Sequence, residues 1–444
     1  MYDLVIVNAN IVVFDDNFSL IENGFLVINQ GNIQDVGYMT DYKDEFFEAN
    51  EKYNANGKLI MPGFICTHTH IYSAFARGMD LKGNSPKNFK EILEQLWWRL
   101  DKKLTLEDIY YSALVTIIES IKNGVTCIFD HHASPNCVEK SLDIIEKAFD
   151  FTGMRGVLCY EVSDRDGKEI ALKGIAENSR FISKCRSRND DMIKGLFGLH
   201  AAFTLSNETL KLASVEGNRL KSGFHIHAAE GVEDLNYCAQ KYNCGVVERL
   251  NSFNILNSNS ILAHCIHIKH EEKKFLKKCV TVHNPESNMN NAVGFCDALD
   301  LTKDGVMVGL GSDGFSHNPF RAMEVCYVLH KHEKKDPRVM GPKAVIDLGI
   351  VNNCKIASRY FNNELGVIKK GAKADLIIVD YNSPTPLTKD NICGHIVFGI
   401  NSNIITHTII NGKIVMRDRV IDGMDEEEVF AKSRVLAKEL WRRF

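Results

Sequence analysis

Two imidazoles close the short apolar run "MPGFICTHTH", His68 and His70, and alternate residues of a strand project to the same face, so both rings address one point in space. Zinc and iron(II) favour imidazole nitrogen and carboxylate oxygen, and a catalytic site leaves one coordination position open for water. The pair is half of such a site. With 16 histidines in 444 residues, chance alone supplies about 0.6 His-x-His triplets, and three occur, so context must separate them. "HKH", His330 to His332, lies in the charged stretch "HKHEKKDPR" and reads as a solvated helix face. In "HIHAAE", Glu230 follows His227 at the mouth of the strand, where a carboxylate has water or substrate to meet. His225 shares that face one layer deeper and reads as structural. "GSDG" follows the uninterrupted run "VMVGL", which puts Asp313 at a strand end rather than in a simple turn.

These residues need elements to bring them together. From Gly63 onward the chain repeats short apolar runs separated by longer helical segments: "GFICTHTH", "VTCIFDHH", "MRGVLCYEV", "IKGLFGLH", "GFHIHAA", "ILAHCIH", "CVTVHNP" and "VMVGLGSD". Eight such runs is the count of a (β/α)8 TIM barrel, and each is apolar throughout, as parallel strands covered on both faces should be. Six of them end in, or just before, histidine or aspartate: His68 and His70, His131 and His132, His200, His227, His264, and Asp313. A lone strand histidine is more often a satisfied core residue than a ligand; it is the convergence at C-terminal strand ends that carries the signal. His68, His70, His227 and Asp313 supply the incomplete metal shell. No role is assigned to His131 or His132.

The first sixty residues alternate apolar and polar in short runs broken by Asn and Gly, and read as antiparallel strands. After a helical stretch near Ala344 to Tyr360, "GVIKKGAKADLIIVDY" and "ITHTIINGKIVMRDRV" return to the same style. The expected architecture is α/β: a barrel over residues 61–365, inserted in a small β-sandwich domain built from both termini, residues 1–60 and 366–444. Two separate small domains are the alternative.

A chain 45% hydrophobic and 25% charged is an ordinary globular protein. The formal charge of -4, with basic residues scattered, leaves no electrostatic footprint for a nucleic acid polymer. The N-terminus carries no basic leader, and the apolar runs are strand-length rather than bilayer-length, so the expectation is a cytoplasmic protein with no membrane partner. Thirteen dispersed cysteines, with no Cys-x-x-Cys pair, argue against a disulfide framework and against a thiolate zinc site. The zinc deaminases that carry His-x-Glu with Pro-Cys-x-x-Cys are thereby excluded.

The set "PGFICTHTH", "HIHAAE", "LAHC", "HNPESN", "GLGSDG" and "GVIKKGAKADLIIVD" resembles the amidohydrolase superfamily, in its aminohydrolase branch of triazine hydrolases, S-adenosylhomocysteine deaminases, guanine deaminases and SsnA-type aminohydrolases. The resemblance runs from the N-terminal strands to "NGKIVMRDR". It implies His68, His70, His227 and Asp313 as ligands of one divalent metal ion, zinc first and iron(II) as the alternative. It implies Glu230 as the proton shuttle to a ring nitrogen and His264 as the residue that orients the hydroxide. His200 falls where relatives contact substrate. "LEQLWWRL" resembles a pocket-lining helix, which makes Trp97 and Trp98 candidate walls, and Glu286 in "HNPESN" hints at an amidine or amino group in the substrate. Two-metal members place a bridging lysine at the end of the fourth strand; here that strand ends in His200, and Lys194 lies near its other end.

A metal ion lowers the pKa of bound water from about 15.7 toward 7. Asp313 would take a proton as hydroxide attacks an electron-poor ring carbon, Glu230 would protonate the adjacent nitrogen, and ammonia would leave. The implied reaction is hydrolytic deamination of an amino-substituted heterocycle, purine or pterin-like. Ring opening of a cyclic amide or amidine uses the same groups and is the alternative; a non-catalytic metal-binding scaffold has no use for Glu230 and His264 together. A small heterocycle is the expected partner, and a homodimer is allowed for.

Overall fold

The five N-terminal strands are β1 (Tyr2–Val12), β2 (Leu20–Asn29), β3 (Asn32–Tyr38), β4 (Ala49–Asn54) and β5 (Leu59–Pro62) in a computed structural model that describes residues 1–81, 83 and 85–444. β1, β2 and β3 pair antiparallel, as their alternating pattern predicts, but β4 and β5 both pair parallel to β1. The chain re-enters the sheet on the far side of β1 instead of continuing the meander.

Eight parallel segments follow: β6 (Phe64–Thr69), β7 (Val125–His132), β8 (Arg155–Tyr160), β9 (Ile193–Gly195) with β10 (Phe197–Ala201), β11 (Phe224–Ala228), β12 (Ile261–His264), β13 (Val280–His283) and β14 (Met307–Leu310). All eight apolar runs are strands, the fourth broken at Leu196 into β9 and β10. They form two parallel sheets, β6-β7-β8-β9 and β10-β11-β12-β13-β14. Single parallel bridges, Val162 to Leu199 and Thr69 to Asp313, lie at the two places where these sheets adjoin. Helices cover their outer face. In the helix Leu106–Lys122, Thr105 and Asp108 form a capping box (Thr105 N to Asp108 Oδ2 2.8 Å, Asp108 N to Thr105 Oγ1 3.2 Å). Its buried stripe of Ile109, Ala113, Ile117 and Ile121 faces the sheet.

The last strands, β15 (Leu376–Val379), β16 (Ile405–Ile410), β17 (Lys413–Arg417) and β18 (Val420–Ile421), join those of the N-terminus in one nine-stranded mixed sheet. β15 pairs antiparallel with β5, Ile377 opposite Met61. Arg155, at the start of β8 and fully buried, donates to both oxygens of Asp375 (2.7 and 3.0 Å), which tie the parallel strands to this sheet. Beyond β18 the chain ends in the helix Glu426–Arg443, which buries Val429, Ser433, Leu436 and Leu440 at helical spacing. All thirteen cysteines are free. Among the described residues no helix is long and apolar enough to cross a membrane.

Candidate active site

The polar residues sit at the C-terminal ends of the parallel strands, and the register levels them: Ala201 is opposite His227, and Ala228 opposite His264. Asp313 is fixed through its backbone, its N–H donating to the carbonyl of His68 at 3.0 Å and its own carbonyl accepting from Thr69 Oγ1 at 2.8 Å. Ala229 (φ 50°), His264 (φ 74°) and Asp313 (φ 54°) occupy the left-handed region, which costs a non-glycine residue on the order of 1–3 kcal/mol. That strain turns the chain sharply where strand gives way to loop.

His70 donates its Nδ1–H to the carbonyl of His131 (2.6 Å), and His227 donates its own to the carbonyl of His200 (2.9 Å). An imidazole committed as donor on one nitrogen presents a lone pair on the other. The two lone pairs, on His70 Nε2 and His227 Nε2, face each other at 3.0 Å. His68 Nε2, buried and without a hydrogen-bond partner among the described residues, lies 3.3 Å from Asp313 Oδ1, and His70 Nε2 lies 3.0 Å from the same oxygen. Three imidazole nitrogens and a carboxylate oxygen turned on one point repel unless positive charge sits among them, so the set fits a divalent cation. Second partners hold the rings in place: His68 Nδ1 meets His225 Nε2 at 2.9 Å, which gives His225 its structural role. Burial holds the His68 imidazole down to about 3 and His227 well below its usual value, so both are in the neutral, ligating form. At His70 burial is outweighed by Asp313 and Glu161, which draw a proton toward the place a cation would take.

A cavity of about 460 Å³ opens over this set. Glu230 lines it, its carboxyl raised well above the usual range by burial and by the charge of Asp313. His264 Nδ1 contacts Asn288 Oδ1 at 2.8 Å, which leaves Nε2 bare and 3.5 Å from Glu230 Oε2. Trp97 and Trp98 both wall the cavity, because the helix widens to a π-turn over Leu93–Trp97 and presents consecutive rings to one side. His200 is in the lining, its ring 6.2 Å from that of Trp98. Glu286 is not: its carboxylate is engaged by Arg321 and, at 2.7 Å, by Ser316. The next residue of the same short helix, Ser287, turns inward instead and donates to Asp313 Oδ2. Lys194 pairs with Asp191 at 2.6 Å, near the start of its strand and away from the cavity.

Three features escaped the sequence. Glu161, one residue past β8, is buried in the cavity floor, its Oε1 3.2 Å from both His70 Nδ1 and His131 Nδ1; a lone glutamate ending an apolar run was the available signal. Arg165 lines the wall against Trp98, held by Asp101 and Asp166. The solvated face expected for "HKH" holds at His332, which is exposed, but not at His330, which is fully buried against Phe295 and His283 where its helix crosses β13. His132 is buried outside the cavity lining and donates to Ser134.

Residues 59–415 match the amidohydrolase family. The chain is 30% identical to a 5'-deoxyadenosine deaminase of Methanosarcina barkeri, over 100% of this chain and 99% of the other. It is also 30% identical to a 5-methylthioadenosine/S-adenosylhomocysteine deaminase of Syntrophomonas wolfei, over 98% of each. Among solved structures, an adenosine deaminase from Xanthomonas campestris with bound zinc shares the fold at a TM-score of 0.88 and 19% identity, covering 100% and 99% of the two chains. The guanine deaminase of E. coli does so at 0.78 and 18%, covering 93% and 99%.

Proposed function

The chain belongs to the amidohydrolase family, as an enzyme that hydrolyses carbon–nitrogen bonds, and we propose that it removes ammonia from an amino-substituted heterocycle of purine or pterin type. The observation that carries this reading is the convergence of three imidazole nitrogens and Asp313 Oδ1 beside Glu230, whose carboxyl burial raises above its usual range, in a cavity large enough for a bicyclic ring. The relatives named as deaminases of adenosine-type compounds support the purine class.

His68, His70, His227 and Asp313 would hold one divalent ion, zinc in first place and iron(II) in second. When bound, that ion supplies the charge that makes water a nucleophile at neutral pH. Asp313 takes a proton from the attacking water as the new C–O bond forms. Glu230 gives its proton to the adjacent ring nitrogen, so that no negative charge accumulates on the ring. His264, fixed by Asn288, directs Nε2 at the oxygen. Asp313 then passes its proton to the amino group, the C–N bond breaks, ammonia leaves, and Glu230 recovers a proton from the hydroxyl as the carbonyl forms. Trp97 and Trp98 wall one side of the ring and exclude water; His200 contacts its far edge.

The same reading takes the eight parallel strands as one closed (β/α)8 barrel over residues 61–365, supported by the bridges at Val162 and Thr69. Residues 1–60 and 366–444 form the companion β domain, supported by the pairing of β5 with β15.

The test is a panel of aminopurines, oxopurines, pterins, triazines and cyclic amides, followed at once for ammonia and for ring absorbance. Ammonia with the chromophore retained is the expected result. Bleaching without stoichiometric ammonia moves the assignment to ring opening.

A further inference from the structure

The last turn of the helix Glu426–Arg443 reaches the back of the cavity wall in two places. Trp441 is 38% exposed, so its ring does not fill the core; its Nε1–H donates to the carbonyl of Phe75 at 2.7 Å. Phe75 is 3% exposed and sits in the turn Ile71–Ala76, which puts Tyr72 and Ser73 into the cavity lining. The turn ends there, so no backbone N–H among the described residues takes that carbonyl, and the indole satisfies it. Three residues on, the ring of Phe444 stacks on the Arg99 guanidinium at 4.0 Å, and the main-chain oxygen of Phe444 accepts from Arg99 at 2.6 Å. Arg99 directly follows Trp98 in the helix Trp98–Lys103, next to the π-turn that presents Trp97 and Trp98. One helix end thus holds both walls. Inside the cavity the walls meet again, Tyr72 and Trp97 standing edge to face with ring centres 6.3 Å apart. The helix itself is pinned along Leu106–Lys122 by Lys432 with Glu107 at 2.8 Å, by Lys122 with Glu426 and by Arg443 with Asp108. Loss of the Trp441 or Phe444 contact therefore leaves the helix in place.

We propose that Trp441 and Phe444 are positioning residues for the substrate cavity: from behind, they fix the turn that carries Tyr72 and the helix that carries Trp97 and Trp98, and so set how tightly the ring is held. The inference rests on the reading of this cavity as the substrate site. Neither residue lines the cavity, and each acts through a segment that does. An aromatic wall binds by close contact, and a gap of about 0.5–1 Å forfeits roughly a quarter to a half of the attraction of each atom pair. His70 precedes the braced turn, but its ring is held separately by the carbonyl of His131. The loss therefore falls on ring binding and not on the metal.

Trp441→Phe and Phe444→Ala are compared with the unaltered, metal-loaded protein on whichever ring of the panel is turned over. Each is expected to raise KM about two- to tenfold, with kcat within about twofold and metal content unchanged. Phe444→Tyr, which keeps a ring on Arg99, is expected to restore KM. An unchanged KM, a loss confined to kcat or metal content, or a failure of Phe444→Tyr to restore KM overturns the proposal. Where Trp441→Phe folds poorly, the two variants at position 444 carry the KM test alone. A second readout needs no substrate. The chain has three tryptophans, Trp97, Trp98 and Trp441, so in Trp441→Phe all tryptophan emission comes from the cavity wall. Adding Phe444→Ala in that background is expected to shift the emission to the red and to strengthen its quenching by acrylamide. Stronger quenching in a protein that turns over no ring of the panel keeps the brace and removes the aminohydrolase reading of the cavity, whereas unchanged quenching beside full turnover does the reverse.

Discussion

His70 and His227 each commit one nitrogen to a backbone carbonyl and turn the other on its counterpart, and from that commitment the rest of the site follows. His227→Ala and Asp313→Asn are expected to lose both metal and turnover while keeping the secondary structure seen by circular dichroism. Asparagine tolerates the left-handed backbone at position 313, so the second variant isolates the carboxylate from the turn. A full metal equivalent with activity in either variant would remove that residue from the site. Glu230→Gln should keep the metal and lower kcat by roughly 10² to 10⁴. Asp234 carries a pH signature. It accepts the backbone N–H groups of Phe203 (2.9 Å) and Ala229 (2.8 Å), yet burial pushes its carboxyl up to about 7. The folded chain therefore holds a proton there that the unfolded chain releases near pH 4, so the stability this group confers is full at low pH and is lost as pH rises through about 7. Asp234→Asn lacks that slope, and the Tm gap between the unaltered protein and the variant should narrow from pH 5 to pH 8. A gap independent of pH would place the carboxyl in its usual range.

Strands set the positions and short helices set the directions. In the helix Pro285–Asn290 one step of rotation sends Glu286 to Arg321 and Ser287 to Asp313, so "HNPESN" offers the site a hydroxyl and not the carboxylate that the sequence suggests. The same phase rule buries His330, one turn past Cys326, in a stretch whose neighbours are charged. The join between β8 and the mixed sheet rests on Arg155 and Asp375, both buried, with Arg155 also donating to the carbonyl of Asp191 at 2.6 Å. Asp375→Ala leaves a guanidinium without its counter-charge in the interior and should lower the unfolding free energy by about 3–5 kcal/mol. The urea midpoint reads the loss. An unchanged midpoint would mean that the mixed sheet contributes nothing to β8.

At the scale of the whole chain, the mixed sheet draws its central pairings from opposite ends of the sequence, β1 beside β5 and β5 beside β15. Deleting residues 1–55 removes β1 to β4, strips β5 of its neighbour β1 and exposes apolar faces of the remaining sheet, and the expected outcome is aggregation. Soluble, active truncated protein would show that the parallel strands need no such partner. The sequence by itself determined the number of parallel strands and the four convergent donors, because uninterrupted apolar runs mark strands buried on both faces and strand ends carry the polar residues that a buried strand excludes. Local pattern is sufficient for both. Only the tertiary structure decided what lies across from what. Glu161 has no motif and becomes part of the floor because β7, β8 and β10 bring His131 and His200 to it; Glu286 and His330 are sorted by helix phase; and β4 and β5 run parallel to β1 where a continued meander would be antiparallel. Such placements depend on register and packing between segments far apart in the chain, and a side chain's neighbours across strands leave no trace in its neighbours along the sequence.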